Sequence, residues 1–345
     1  MLTLAPGEVG GSETYARGLA RALATRGQLP VTAFVARGAP DAGEGLPTEV
    51  VAEYPTARSR RSRLAVRAVV VLRSGPVRRR IGPVDAVHYP LTTRVPPLEA
   101  PTVVTLHDTL HIEFPRLFPR AERLYRALAY DRSVRRARLV ITPSAFVRDR
   151  AVALLGIPAG RIRPIHHGLD HDRFAPGDED REAFLLYPAR PWKHKNHARL
   201  FEAFALLRRE RPGLRLVLTG GGHRSSPPDG VDVKGHVSGD DLAGLYRRAS
   251  ALVFPSLYEG FGQPPLEAMA CGCPVAAARA GSLPEICDDA ARLFDPKSPA
   301  DIADAVRDVL DAPDEWRRRG LERAAAFTWD ACAAAHEDVY RELLA

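Results

Sequence analysis

Apolar and polar positions along the chain fall into two alternating registers. Short runs rich in β-branched residues read as strands, and stretches with apolar residues three or four apart read as helices. In the first half, Val31 to Ala36, Val50 to Tyr54, Val84 to Tyr89, Thr102 to Asp108, Leu139 to Ser144 and Ile162 to His166 predict strands. Ser12 to Arg26 predicts a helix with Ser12 as its N-cap and Tyr15, Leu19, Ala22 and Leu23 as its apolar stripe. Another helix is predicted over Glu122 to Arg136. The second half repeats the alternation. Its predicted strands are Ala183 to Ala189, Leu214 to Thr219, Val231 to Lys234, Ala251 to Pro255, Pro274 to Ala278 and Ala291 to Phe294. Its helices are predicted near 196 to 210, 239 to 249, 265 to 271 and 299 to 311, with helical sequence from 313 to the end. Strands that alternate with helices imply parallel sheets covered on both faces. Two such series predict an α/β chain of two Rossmann-like domains, with the boundary in the Gly-, Asp- and Pro-interrupted stretch from His167 to Pro176. Ligands of open parallel sheets bind beyond the carboxyl ends of the strands, so the loops there are where chemistry is sought.

Composition supports that division. A chain of 345 residues is too long for one ordinary core and suits two. Hydrophobic residues at 45% and charged residues at 26% exclude disorder, collagen-like repeats and a small disulfide scaffold. Four cysteines, two of them spaced Cys271-x-Cys273, form neither a disulfide framework nor a zinc-ligand pattern. No apolar run approaches the ~18 residues of a membrane span. The N-terminal residues lack a basic region followed by an apolar one, so no secretory signal is predicted and a cytoplasmic location is expected. Charge is unevenly spread. Residues 1 to 170 carry 26 arginines, no lysine and 14 acidic groups, whereas residues 171 to 345 carry 23 basic and 28 acidic groups. A basic half beside an acidic half implies different partners, and the basic side suits nucleic acid, an anionic membrane or an anionic small molecule.

Five segments can carry chemistry. Glu259 to Val275, EGFGQPPLEAMACGCPV, follows a predicted buried strand. Gly260 and Gly262 allow close backbone approach, and Pro264 and Pro265 open a helix whose N-terminus suits an anion. Glu259 and Glu267 would repel a phosphate, so they read as acceptors of sugar hydroxyls or as two solvated glutamates at a helix start. In YPARPWKHKN, Arg190 and Lys195 read as a phosphate clamp or as an exposed basic turn. His194 and His197 have no carboxylate or cysteine nearby, which argues against metal. Gly10 and Gly11 precede the first long helix and offer a further phosphate contact, without the spacing of a dinucleotide fingerprint or a P-loop. Gly220 to Gly222 follow a strand and could face a nucleotide. His107 and Asp108 end a strand, where a reacting group or a structural hydrogen-bonded pair belongs. Asp170-His171-Asp172 has a metal-like spacing but lies in the predicted linker. Residues 58 to 80 hold nine arginines and no acidic residue around LAVRAVVVL. That stretch reads as a contact for an anionic membrane surface or as a solvated helix face. It has no interleaved aromatics for stacking bases, so no nucleic-acid partner is expected.

Taken together, GGSETYARGLARALATRG, VVTLHD, TPSAFVRDR, IRPIHHGLDHDRF, YPARPWKHKN, LTGGG, GHVSGDDLAGLYRRASALVFPSLYEGFGQPPLEAMACGCPV and AGSLPEI resemble the retaining GT-B glycosyltransferases of family 4, the mannosyltransferase-like members above all. The likeness covers nearly the whole chain. It implies an acceptor domain over 1–170, a nucleotide-sugar donor domain over 171–325, and a last helix over 326–345, with Trp329 and Tyr340, that crosses back to the first domain. It implies that Arg190 and Lys195 bind the donor diphosphate, that Glu267 accepts from the nucleotide ribose, and that Glu259 holds hydroxyls of the transferred sugar. Backbone of Gly260, Phe261 and Gly262 would aid sugar and phosphate, and backbone near His236 and Val237 would read the base. Gly281 and Ser282, with the Leu283 and Pro284 turn, would border the diphosphate, Gly11 would approach it from the first domain, Gly10 and Gly220 would also belong to the donor site, and His107 would sit beside the reacting carbon. Neither metal nor other cofactor is expected. The partners are a nucleotide sugar, with GDP-mannose the first guess and a UDP-sugar open, and a saccharide, lipid-linked or secondary-metabolite acceptor. The readings from other classes are a sugar-nucleotide epimerase or hydrolase of similar shape and a non-enzymatic basic membrane-binding module. Met1 to Leu4 is shorter than the first strand such a fold uses, which leaves open a start upstream of Met1.

Overall fold

The computed structural model describes residues 1–4, 10–54, 74–223 and 227–345. They divide into two compact units, Met1–Gly168 with Trp329–Ala345, and Leu169–Thr328.

In the first unit, helix α1 (Gly11–Arg26) precedes β1 (Ala33–Ala36) and β2 (Thr48–Val51). Then come α2 (Ser74–Ile81), β3 (Val87–Tyr89), β4 (Thr102–Thr105), α3 (Leu110–Glu113), α4 (Arg120–Arg126), α5 (Arg132–Arg136), β5 (Leu139–Thr142), α6 (Ala145–Leu155) and β6 (Ile162–Pro164). Strands form at every predicted run, but they pair as two sheets. β1 pairs β2, and a separate sheet has the order β3-β4-β5-β6, every pair parallel. The last helix, Trp329–Leu344, lays Trp329, Ala333 and Tyr340 into the apolar cluster of α1 and β1.

Three local readings are corrected. Ser12 does not cap α1: Gly10 is the N-cap at φ 58°, no side chain caps the helix, and Ser12 lies inside its first turn. The predicted helix Glu122 to Arg136 is interrupted by a wide π turn over Ala127–Asp131. Helix α6 was not evident in the pattern, because its apolar and charged positions do not segregate. Its ends are well marked instead. Ser144 Oγ accepts the Val147 N–H at 3.2 Å, and Gly156 closes it in the left-handed conformation. In the arginine-rich stretch, residues 58–73 lie outside the described residues, and Arg78, Arg79 and Arg80 are exposed on α2.

The second unit holds β7 (Glu182–Pro188), α7 (His197–Glu210), β8 (Arg215–Thr219), β9 (Val231–Gly235), α8 (Gly239–Arg248) and β10 (Ala249–Phe254). These are followed by α9 (Gln263–Ala270), β11 (Val275–Ala278), α10 (Leu283–Cys287), β12 (Arg292–Phe294), α11 (Pro299–Asp311) and α12 (Pro313–Ala325). The six strands form one parallel sheet in the order β12-β11-β10-β7-β8-β9. Its central strands carry unbroken apolar runs, Phe184 to Tyr187 and Ala251 to Phe254, all buried because helices cover both faces. From β7 the chain winds outward through β8 and β9, returns, and winds the other way through β10, β11 and β12. The reversal leaves a crevice at the carboxyl ends of β7 and β10, the place where such sheets bind ligands. Among the described residues, no helix is long and apolar enough to cross a membrane.

Candidate functional site

Two loops meet at that crevice, one leaving β7 and one leaving β10. The first makes a 3-10 turn over Lys193–Lys195 and reaches Asn196 in the left-handed conformation, φ 62°. Asn196 is held there because its side-chain amide donates to the carbonyls of Pro255 at 3.1 Å and Pro296 at 2.7 Å. The Leu257 N–H donates to the His194 carbonyl at 2.8 Å, which joins the two loops directly. From below, Tyr187 Oη donates to the Lys195 carbonyl at 2.6 Å. These bonds fix the backbone of Lys195, and its ammonium meets Glu259 Oε1 at 2.5 Å. Both side chains are largely shielded, 15% and 14% exposed, so the pair is an interior one. Lys195 Nζ also lies 5.5 Å from the centre of the Phe254 ring.

The second loop is clamped by the segment before α10. A Cβ on Gly281 would stand 2.6 Å from the Glu259 nitrogen and 2.7 Å from its oxygen, and Gly281 itself is at φ 61°. Only glycine satisfies both conditions. The Ser282 N–H donates to the Glu259 carbonyl at 3.1 Å, and Ser282 Oγ donates to the Phe261 carbonyl at 2.5 Å. Gly260 lies between them in the chain. Gly262, φ 111°, is the N-cap of α9, with proline at the helix start and no side-chain cap.

Glu267 lies on α9, half-buried, and accepts a hydrogen bond from Tyr246 Oη at 3.0 Å. Burial pushes its pKa up to about 7, against the pull of the Tyr246 bond and the Arg173 charge and with a further push from Asp170. Arg190 is exposed, its guanidinium 5.9 Å from the centre of the Trp192 ring. Gly220, φ 100°, lets the loop after β8 lie against Ala189 and Arg190, since a Cβ would come within 3.0 Å of their backbone. After β9, His236 is exposed and Val237 rests half-buried on the core. The structure thus joins Lys195, Glu259, Phe261, Gly281 and Ser282 by direct contact, and Arg190 with Gly220.

Gly10, Gly11 and His107 belong to the first unit. Gly10 and Gly11 open α1, and among the described residues no atom from outside the adjoining backbone comes within 4 Å of where a Cβ would stand. His107 follows β4, its Nε2 bonded to the Pro90 carbonyl at 2.7 Å and its ring edge-on to Tyr15. Burial lowers its pKa, opposed by Pro90 and Asp108. Behind it lies a buried polar cluster. Tyr15 Oη contacts Thr105 Oγ1 at 2.8 Å and His336 Nε2 at 2.7 Å, and His88 bridges Thr105 to Tyr340 at 2.8 and 2.7 Å. Sequence spacing carries no signal that joins residues 15, 105 and 336. It also missed the bonds of Asn196 and Tyr187 and Ser282's bond to Phe261, whose partners meet only once the loops are folded. Asp170 accepts the Arg173 N–H at 3.2 Å, and His171 bonds to the Phe327 carbonyl at 3.0 Å. Among the described residues, no group of three or more His, Cys, Asp or Glu is placed to hold a metal ion.

Two family models cover the chain between them: "Glycosyltransferase Family 4" over residues 9–173 and "Glycosyl transferases group 1" over residues 170–326. The chain is 30% identical to the O-antigen chain mannosyltransferase B of Escherichia coli over 268 residues, 70% of each chain. Its fold superposes on the sucrose-phosphate synthase of Thermosynechococcus elongatus with a TM-score of 0.77 at 23% identity, covering 97% of this chain and 94% of that one. It also matches Anabaena HepE, solved in complex with UDP and glucose, with a TM-score of 0.72 at 20% identity and 97% of each chain. These structural neighbours are GT-B glycosyltransferases.

Proposed function

The chain belongs to the group 1 glycosyltransferases of GT-B fold, and from that premise we propose that it moves a sugar from a nucleoside diphosphate to a hydroxyl of an acceptor, with retention and without a metal ion. The observation that supports this reading most is the shielded Lys195–Glu259 pair at the crevice, a cation and a carboxylate held 2.5 Å apart by loops that the rest of the unit pins.

In this reading, Lys195 and Arg190 receive the diphosphate. As the sugar–oxygen bond breaks, negative charge grows on the leaving phosphate and positive charge on the sugar ring. Preorganised cations on the leaving side lower that barrier, by ~3 kcal/mol or more for a donor removed from such a site. Glu259 would take hydroxyls of the transferred sugar, a task for an acceptor-only carboxylate. Backbone of Gly260, Phe261 and Gly262 would complete the sugar and phosphate contacts, with Gly220, Gly281 and Ser282 shaping the loops around them. Glu267 would bind the ribose, and backbone at His236 and Val237 the base. From the first unit, Gly10 and Gly11 would approach the phosphates and His107 the reacting carbon. With no carboxylate assigned as a nucleophile, the acceptor hydroxyl would attack from the leaving-group side and pass its proton to a phosphate oxygen. GDP-mannose is the first donor proposed, in line with the mannosyltransferase likeness, and a UDP-sugar the second, in line with the HepE complex. A saccharide, lipid-linked or secondary-metabolite hydroxyl is the proposed acceptor. The work is placed on the cytoplasmic side, with residues 58–80 as a contact for anionic lipid.

The test is a panel of GDP- and UDP-sugars read by thermal shift and by release of free nucleotide. One nucleotide family should raise the melting temperature and be turned over. Absence of any shift or release across the panel would sink the proposal.

A further inference from the structure

Behind His107, the polar groups of the first unit form one continuous hydrogen-bonded chain. Tyr340 Oη lies 2.7 Å from His88 Nδ1, and His88 Nε2 lies 2.8 Å from Thr105 Oγ1. Thr105 Oγ1 is 2.8 Å from Tyr15 Oη, which is 2.7 Å from His336 Nε2. His336 Nδ1 then meets the Cys332 carbonyl, one turn back on its own helix, at 2.7 Å. The chain leaves the last helix at Tyr340, crosses β3, β4 and α1, and returns to that helix at His336. Tyr15, Thr105 and His336 are buried, where a polar group left without a partner costs about 1–3 kcal/mol.

One end of the chain sets the direction of every bond in it. A carbonyl only accepts, so His336 Nδ1 carries the proton. Burial lowers the His336 pKa to about 4 and holds that of His88 well below the ordinary histidine value, so each ring has a single N–H. His336 Nε2 is therefore bare and accepts the Tyr15 O–H. Tyr15 Oη, its proton committed, accepts from Thr105. The Thr105 hydroxyl accepts the His88 Nε2–H, and the bare His88 Nδ1 accepts the Tyr340 O–H. The reverse arrangement would set a bare nitrogen against the Cys332 carbonyl and leave the Tyr340 O–H without an acceptor in the chain.

This chain surrounds the contacts that hold His107. Pro90, whose carbonyl bonds to His107 Nε2, follows His88 by two residues, and His107 follows Thr105 by two. The Tyr15 ring stands edge-on to His107 with centres 5.1 Å apart, and stacks on His167 at 4.6 Å. Because burial lowers the His107 pKa, its one proton sits on Nε2 toward Pro90 and its Nδ1 is bare.

We propose that Tyr15, Thr105 and His88 are positioning residues for His107, joined in a one-way hydrogen-bond relay that begins and ends on the last helix. The proposal rests on the reading of His107 as a group beside the reacting carbon. A relay with one allowed arrangement holds α1, β3 and β4 in a single register, and with them the ring and the carbonyl that fix His107. Loosening it misplaces a group at the reacting centre, which slows turnover without removing a contact to the donor.

Nitrogen-15 shifts of the histidine side chains at pH 7 read the tautomers directly. His336 should be the Nδ1–H form, and His88 and His107 the Nε2–H form. In Thr105→Val no oxygen remains for the His88 Nε2–H, so His88 should change to the Nδ1–H form. Tyr15→Phe and Thr105→Val should each lower kcat about tenfold and leave donor KM within about twofold, whereas Thr105→Ser, which keeps the hydroxyl, should hold kcat within about twofold of the parent. An Nδ1–H tautomer at His88 in the parent would overturn the proposal, as would an unchanged kcat in Tyr15→Phe when His107→Ala is impaired. If His107→Ala itself keeps the parent kcat, the reading of His107 fails and the positioning role fails with it, while the tautomers still show whether the relay exists. Should Thr105→Val not fold, Tyr15→Phe and the parent spectra decide.

Discussion

Lys195 and Glu259 each satisfy the other's charge, so a diphosphate entering the crevice must replace a carboxylate as the partner of Lys195. Opposite effects follow for the two residues. Lys195→Ala should lower kcat by about 100-fold or more, the usual loss for a charge-stabilising donor, and change acceptor KM by no more than about threefold. Steady-state kinetics with acceptor varied would check it, and an unchanged kcat would remove Lys195 from the role. Glu259→Gln removes the competing carboxylate. Free GDP or UDP should then bind about fivefold tighter by calorimetry, while transfer from the intact donor falls about 100-fold. Weaker nucleotide binding in that variant would show that Glu259 does not compete for Lys195. Gly281→Ala places a methyl against the Glu259 backbone and holds a non-glycine residue at φ 61°. The left-handed conformation costs about 1–2 kcal/mol by itself, and the displaced Glu259 should depress turnover further than stability. Sequence made the glycine visible but not its purpose. The residue it must admit lies 22 positions away and is met only once the loops are folded.

At the scale of elements, α9 carries Glu267 with a pKa near 7, raised by burial. A buried carboxyl whose folded pKa exceeds its unfolded value binds a proton more readily folded than unfolded. Its contribution is therefore favourable at low pH and is lost as pH rises from about 4.5 to about 7. The shift sets an upper bound of about 3 kcal/mol. Glu267→Gln should flatten this slope, so thermal melts at pH 5 and pH 7 should differ less in the variant than in the parent. Parallel slopes would mean that another group carries the dependence. The elements themselves were largely legible. Apolar runs marked the central strands, because a strand buried on both faces must be apolar along its length, as in Leu185 and Leu186 or Val103 and Val104. Strand ends were overrun, as at Thr102 to Asp108, because Leu106 stays apolar and fully buried after the ladder stops. Helix α6 was missed for the opposite reason: its stripe is blurred, and its cap, a single serine, is the stronger signal.

At the scale of the whole molecule, chain length pointed to two bodies, but no periodicity could say that six strands of the first unit pair as two plus four. Pairing depends on which edges meet, and that is decided only in the folded unit. The last helix shows how sequence-distant parts make one core. Trp329 fills the hollow left by two glycines: a Cβ on Gly18 would stand 2.3 Å from its ring, and one on Gly168 2.4 Å from its Cα. Its ring also packs into two apolar clusters of the first unit. Trp329→Ala should cost about 3 kcal/mol, the lower end for truncating a large aromatic because Trp329 is only partly buried. In a unit of this size that lowers the melting temperature by roughly 6–12 °C. Because Leu169–Thr328 has its own core, calorimetry should resolve two transitions, of which the variant moves one and leaves the other within about 1 °C. Nucleotide, which the proposal assigns mainly to the second unit, should move the other transition in the parent and the variant alike. If Trp329→Ala shifts both transitions together, the two units melt as one cooperative body and the last helix serves more than the first.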